Sequence, residues 1–303
     1  MVEVEKPEPK EGAVRVRVHA TTVCAGDVRL RKADPFFLRI VGGGIVRPTK
    51  VRIPGMEVAG TVDAIGPGVT QFKVGDAVFG SAGLTFGAYA DYVCMPEMLL
   101  AAKPVEVPYR EAAAIPFGGV SALHYLRAAG VQAGQALLIY GASGSVGTAA
   151  VQLGKHFGAH VTGVCSGANV ELVRSLGADA VLDYAREDFS RDGAIYDVVF
   201  DTVGKSKIWR GIKALKRGGT YAFSACGLPS YGLARLWSLT GRVKVVGGIA
   251  RGKAKELAFL MQLVQDGRFK PVIDRTYPLS DVVDAHAYAE AGHKKGNVVI
   301  LVP

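Results

Sequence analysis

Ala136-Leu137-Leu138-Ile139-Tyr140-Gly141-Ala142-Ser143-Gly144-Ser145-Val146-Gly147 is the stretch that decides the fold of this chain. Its first five residues are an apolar run of strand length. Glycines at 141, 144 and 147 follow at once. From Val146 onward, apolar residues recur at Ala150, Leu153 and Phe157, one face of a helix. A strand that turns through glycines into a helix gathers free backbone amides and the positive end of the helix dipole at one point. A diphosphate can bind there. A glycine triplet alone is a common tight turn; strand, turn and helix in this order point to a dinucleotide site. Gly141, Ala142, Ser143, Gly144, Ser145, Val146 and Gly147 are the expected pyrophosphate residues.

Downstream, strand and helix patterns alternate. Strands are predicted at 160–165, 180–182, 196–200, 219–224 and 243–249, with helices near 170–176, 206–215 and 253–264. Such alternation builds a parallel sheet covered on both faces. Upstream the pattern changes. Residues 13–23 alternate apolar and polar with period two, and short strands follow near 60–65 and 77–79. Gly and Pro punctuate them, as in a barrel-like β domain. The tail returns to β character at 272–277 and 297–302. The expected organisation is therefore a β-rich part in 1–104, a dinucleotide-binding α/β part in 105–270, and a return to the β-rich part in 271–303.

Among 303 residues, 49% are hydrophobic, enough for two cores. The net charge of +9 comes from thinly spread Lys and Arg, not from a basic run, so a solvated surface is favoured over nucleic-acid binding. Cys24, Cys94, Cys165 and Cys226 form no C-x-x-C pair, which argues against a structural zinc or a disulfide framework. The acidic start, Glu3 and Glu5, has no apolar segment of a secretory signal, and no apolar run reaches bilayer length. A cytoplasmic protein without a membrane span is expected.

The second strand of the α/β part bears on the nucleotide. NAD-binding units usually end it with Asp or Glu on the ribose 2′-hydroxyl. Here it runs Gly163-Val164-Cys165-Ser166-Gly167-Ala168-Asn169, and the first acid is Glu171, inside the next helix. Ser166 and Asn169 can donate to a 2′-phosphate, with Arg174 nearby, so NADPH is expected. The competing reading of Ser166 is a helix cap.

Further motifs run the length of the chain: Ile53-Pro54-Gly55-Met56-Glu57-Val58-Ala59-Gly60, Val74-Gly75-Asp76-Ala77-Val78-Phe79-Gly80, Ala112-Ala113-Ala114-Ile115-Pro116 with Ser121-Ala122-Leu123, Leu176-Gly177-Ala178-Asp179, Asp197-Val198-Val199-Phe200-Asp201-Thr202-Val203-Gly204 and Gly292-His293-Lys294-Lys295-Gly296. With these the chain resembles the zinc-free quinone oxidoreductase branch of the medium-chain dehydrogenase/reductase superfamily. The resemblance implies an α/β Rossmann domain with a parallel sheet, inserted in a GroES-like β-rich catalytic domain, with the nicotinamide in the cleft between them. It implies that Asp201, Val203, Phe223, Ser224 and Ala225 line the cofactor, that Ser121 stands where the family usually has Thr near the nicotinamide, and that Tyr184 packs by the adenosine phosphate. Asn297, where relatives often carry Lys or Arg, joins this set. A homodimer through the last Rossmann strand is implied as well. The first strand common in the family, before Val2-Glu3-Val4-Glu5, is missing, so an edge strand of the barrel is expected to be absent.

Zinc-dependent relatives hold a catalytic metal with a Cys in V-C-x-x-D and a His in G-H-E. Cys24 and Asp27 fit the first; the second reads Gly55-Met56-Glu57, and near Gly118–Gly119 there is no third ligand. Catalytic zinc needs three protein ligands, so no metal is expected. Without a Lewis acid the chemistry suits acceptors that delocalise charge themselves: NADPH-dependent hydride transfer to a quinone or α,β-unsaturated carbonyl. Carbonyl-side donors could be Cys24, Arg29 and Arg31, against a bland reading of solvated arginines and a small buried thiol. His19, His124 and His156 read as structural. Two other readings are an NADPH-binding adaptor or RNA-binding relative without turnover, and an enoyl-thioester reductase or alcohol dehydrogenase.

Overall fold

The computed structural model describes residues 2–32, 51–83, 86–224, 232, 237–238, 241–248, 250 and 252–303. The loop 35–46, expected to shape the acceptor pocket, and Ala225 lie outside the described residues. The chain divides into two compact units, the described residues up to Phe117 with Gly252–Pro303, and Gly118–Arg251.

The first unit opens with β1 (Ala13–Val23) and α1 (Ala25–Lys32). It continues through β2 (Glu57–Ile65), β3 (Ala77–Ser81), β4 (Tyr92–Pro96), β5 (Leu100–Ala102) and α2 (Tyr109–Ala113). Period-two alternation in β1 is realised: Val14, Val16 and Val18 are wholly buried, while Arg15, Arg17 and His19 face the other way. They pack with Val58, Val62, Val78, Met95 and Leu100 in one core, each buried Val or Leu contributing about 1.5–3 kcal/mol. Residues 2–10 add no strand in front of β1.

The second unit follows with α3 (Ser121–Ala129), β6 (Ala136–Tyr140), α4 (Ser145–His156), β7 (His160–Cys165), α5 (Val170–Ser175) and β8 (Ala180–Asp183). Then come β9 (Tyr196–Asp201), α6 (Ile208–Ala214), β10 (Leu215–Phe223) and β11 (Lys244–Val246). All six strands pair in parallel, in the order β11-β10-β9-β6-β7-β8. Leu137, Leu138 and Ile139 are fully buried in succession, as a central parallel strand requires. β10 starts four residues earlier than the pattern predicts because Leu215 pairs with Tyr196 across a register shift. β11 stops at Val246, two residues before Gly248 at φ +120°.

The chain then returns through α7 (Ala254–Gln265), β12 (Ile273–Pro278), α8 (Val282–Glu290) and β13 (Asn297–Leu301). β13 pairs antiparallel with β1 and parallel with β12, giving the order β12-β13-β1-β2-β3-β5, with β4 also on β1. The units meet at 117/118 and 251/252 rather than near 104 and 270. Packing accounts for the difference: α2 lies on β1 and β2, and α7 lies on β5, so both helices belong to the β-rich unit.

Candidate functional site

In the second unit, the chain leaves β6 for β7 and β8 on one side, then returns for β9, β10 and β11 on the other. The glycine turn after β6 therefore lies at the switch point, where open α/β sheets take ligands. Each glycine has its own cause. Gly141 sits at φ +82°, and a Cβ there would fall 2.8 Å from Thr202 Oγ1 and Val203 Cγ1. At Gly147 a Cβ would fall 2.1 Å from the Gly141 carbonyl oxygen. Gly144 is different. Its φ of −80° and ψ of 178° suit any residue, and a Cβ would meet only Gly141 O, at 3.7 Å. Neither packing nor backbone requires glycine at 144, which leaves room for a ligand to approach the helix start.

Asn169 lies beside this turn. Its Nδ2 donates to Ser143 Oγ at 3.1 Å, while its buried Oδ1 has no partner among the described residues. A buried carbonyl oxygen without a donor is costly, and a ribose hydroxyl is a donor of the right kind. Ser166 makes no side-chain cap bond to the turn of helix that follows it, so capping does not explain it. These residues fit a dinucleotide.

Beside Gly167, past the end of β7, lies a group that β7 does not supply. Asp183, at the end of β8 and level with Cys165, places Oδ2 2.8 Å from where a Gly167 Cβ would be. Arg186 lies 3.8 Å from that carboxylate, with 86% of its side chain exposed. Arg174 is already paired with Glu171 at 2.8 Å. Tyr184 is 54% exposed on the same connection. Sequence reasoning missed Asp183 and Arg186; the strand-end position of Asp183 was the available signal.

Asp201 shapes its loop. Buried at the end of β9, it accepts N–H bonds from Val203, Gly204 and Ser206. Burial pushes its carboxyl up, and these donors hold it down. Ser224 donates to Thr202 O at 2.9 Å, and Phe223 is buried beside it in sequence. Ser121 opens α3. Asn297 is placed in the first unit, where its side chain donates to Val272 O at 3.0 Å.

The first unit carries a buried polar cluster around the end of β1. Asp27 accepts from the backbone N–H of Cys24 at 3.0 Å and of Gly55 at 3.2 Å. Burial pushes it up to about 6. Glu57 accepts from the Thr22 hydroxyl and, at 2.6 Å, from Phe117 N–H; burial pushes it up to about 7. Burial and two nearby carboxylates push the Cys24 thiol up, and burial pulls the Lys294 amine down. Tyr89 donates to Thr22 O at 3.1 Å and meets His286 Nε2 at the same distance. Arg31 ion-pairs with Glu290 on α8, which supports its surface reading, and Arg29 is exposed. His286 and Tyr89, 197 residues apart, had no signal in the sequence.

Fold and site together define a nicotinamide-dependent oxidoreductase. Residues 10–105 match the alcohol dehydrogenase GroES-like domain and residues 176–300 the zinc-binding dehydrogenase family. A 2-methylene-furan-3-one reductase of Solanum lycopersicum is 33% identical over 98% of this chain and 74% of its own. A chloroplastic NADPH-dependent alkenal/one oxidoreductase of Arabidopsis thaliana is 32% identical over 97% and 73%. The solved quinone oxidoreductase from Coxiella burnetii superposes with TM-score 0.90 at 28% identity, covering 100% of this chain and 94% of that one. The chain belongs to the medium-chain dehydrogenase/reductase superfamily, among its quinone-oxidoreductase-like members.

One matched family is described as zinc-binding, and the donors here do not fit that metal. Cys24 Sγ faces the Met56 thioether at 3.7 Å, at the position where zinc-dependent relatives carry a histidine ligand. Among the described residues, no group of three His, Cys, Asp or Glu side chains could hold a metal ion.

Proposed function

We propose that this protein reduces quinones or α,β-unsaturated carbonyls with NADPH, without zinc. The carrying observation is the cradle of Gly144 and Asn169, open toward a ligand at the switch point of the sheet. When bound, the coenzyme supplies a hydride. The chain's own residues grip and orient it: the amides at the start of α4 hold the pyrophosphate, Asn169 takes a ribose hydroxyl, and Arg186 faces the 2′-phosphate. Preference for NADPH rests on that exposed guanidinium, which Asp183 opposes only at 3.8 Å. With no metal to polarise a carbonyl, acceptors that spread the added charge are favoured.

We further place the protein in the cytoplasm, as a dimer through β11. No described helix is long and apolar enough to cross a membrane. Calorimetry with NADPH and NADH, followed by turnover on quinones, enones and saturated aldehydes, tests the reading. Tight NADPH binding with quinone or enone turnover supports it; binding of neither coenzyme overturns it.

A further inference from the structure

β1 and β2 do not pair as a plain ladder. His19 is an extra residue between the pairs Val18–Gly60 and Ala20–Ala59, and Asp63 is another between Arg15–Ala64 and Val16–Val62. A β-bulge re-aims the side chain it carries, and bulges gather beside binding sites. Here both extra residues line one surface cavity of about 300 Å³, together with Arg17, Thr61, Val62 and Val74. That volume is at the lower end of the range for small-ligand sites. Arg17 and Thr61 are direct cross-strand partners. Gly60 lets the strands close in beside them, since a Cβ there would fall 2.0 Å from the Arg17 carbonyl oxygen. The far wall is the turn before β3. Gly75 N–H donates to Val62 O, and Val62 N–H donates to Asp76 O, each at 2.9 Å.

The charges around this cavity do not cancel. Asp63 is the one acid of its lining, and that carboxylate is already held by Arg15 at 2.6 Å and Lys6 at 2.9 Å. In the turn, Asp76 accepts from Lys73 N–H at 2.9 Å. Arg17 is exposed and has no ion-pair partner among the described residues. His19 Nε2 lies 3.1 Å from Thr61 Oγ1, and Thr61 Oγ1 lies 3.0 Å from the Tyr109 hydroxyl of α2. When Tyr109 donates to Thr61 and Thr61 to Nε2, the neutral ring keeps Nδ1–H as a free donor. The Tyr109 ring backs the imidazole at 4.5 Å between centroids, and Lys103 Nζ stands 4.4 Å from the centre of the tyrosine ring. Burial first, then the charges of Arg17 and Lys103, hold the imidazole below its ordinary pKa.

We propose that this cavity binds a phosphate group, free or carried by a small phosphate monoester. Arg17 grips it with two guanidinium N–H groups, and His19 adds an imidazole N–H. Three donors match the three acceptor oxygens of a phosphate monoester better than the two of a carboxylate. Val74, 60% exposed on the rim, offers apolar cover to the carbon that an ester carries. Every lining residue belongs to the first unit, whereas the glycine turn that takes the coenzyme's pyrophosphate belongs to the second.

The test follows the His19 ring by NMR in the full-length protein, its signal identified by loss in His19→Gln. Inorganic phosphate replaces chloride at constant ionic strength. A saturable shift of that signal, a rise in the His19 pKa and a higher Tm are expected, because a bound anion favours the imidazolium and stabilises the fold that binds it. Arg17→Gln weakens phosphate binding at least about tenfold, the loss of a charge-assisted contact. Arg17→Lys keeps the charge without the planar fork and recovers only part of the affinity. Arg217→Gln makes the same change of charge on the second unit and leaves the affinity within about twofold.

Methyl phosphate and acetate, titrated in the same way, identify the ligand. Methyl phosphate binding at least as tightly as inorganic phosphate assigns an ester, and weaker binding assigns the free ion. Acetate equal to phosphate overturns the phosphate assignment. A shift that never saturates, or equal losses in Arg17→Gln and Arg217→Gln, reduces the cavity to a screened surface and overturns the site. Displacement of phosphate by stoichiometric NADPH overturns it as a site separate from the coenzyme's.

Discussion

At the scale of single residues, the glycine turn separates packing from binding. Gly147→Ala forces a Cβ to within 2.1 Å of a carbonyl oxygen, and that backbone cannot yield without opening the turn. Loss of several kcal/mol of stability, about 3 or more, is expected in thermal or urea unfolding. Gly144→Ala meets nothing closer than 3.7 Å, so Tm stays within about 2 °C while NADPH binds at least about tenfold more weakly by calorimetry. Equal losses of stability in both variants would refute the division. Glu57 supplies a pH signature. Its carboxyl is pushed from an ordinary 4.5 to about 7, so between those values the folded chain keeps a proton that the unfolded chain has released. Stability therefore falls as pH rises from 4.5 to about 7 and levels off above, and Asp27 adds a slope of the same sign between 3.8 and about 6. Glu57→Gln can still accept from Phe117 N–H, so it should flatten most of the decline in Tm across that window. A wild-type Tm that rises over the same interval would reverse this account.

At the scale of elements, what could be read ahead of the structure was what is local. β1, β6 and β7 fall where alternation or an apolar run put them, because side-chain period and strand length are properties of the segment itself. The glycine turn was legible for the same reason. The carboxylate beside Gly167 was not, since Asp183 reaches that glycine only through the parallel register that sets β8 beside β7. Arg174 was the nearer base in sequence, yet α5 turns it onto Glu171. The contact of Tyr89 with His286 was still further from view: the two meet because α8 packs back onto the β-rich unit after the second unit has been completed. The β8 connection carries its own expectation. Arg186→Ala should weaken NADPH about tenfold or more, the worth of a charge-assisted contact, and weaken NADH less than twofold. Equal losses for both coenzymes in fluorescence titrations would remove Arg186 from the phosphate site.

At the scale of the whole molecule, the matched family's metal and its assembly lead to opposite kinds of prediction. Cys24 paired with a thioether offers no zinc site, so exhaustive dialysis against EDTA should leave quinone turnover within about twofold, measured beside elemental analysis of the protein. Stoichiometric zinc that is lost together with activity would contradict the donor argument. The proposed dimer uses the edge of the parallel sheet. Among the described residues, β11 is three residues long and pairs only with β10, which leaves its other side as an edge of the kind a second copy can complete. In a parallel strand, consecutive residues send their N–H groups to opposite sides. Of Lys244→Pro and Val245→Pro, one therefore strikes the ladder to β10 and the other strikes only the free edge. The first should lower Tm, whereas the second should convert a dimer to a monomer in sedimentation velocity with Tm little changed. A wild-type monomer, or a dimer that survives both prolines, would show that the edge of β11 is not the seam.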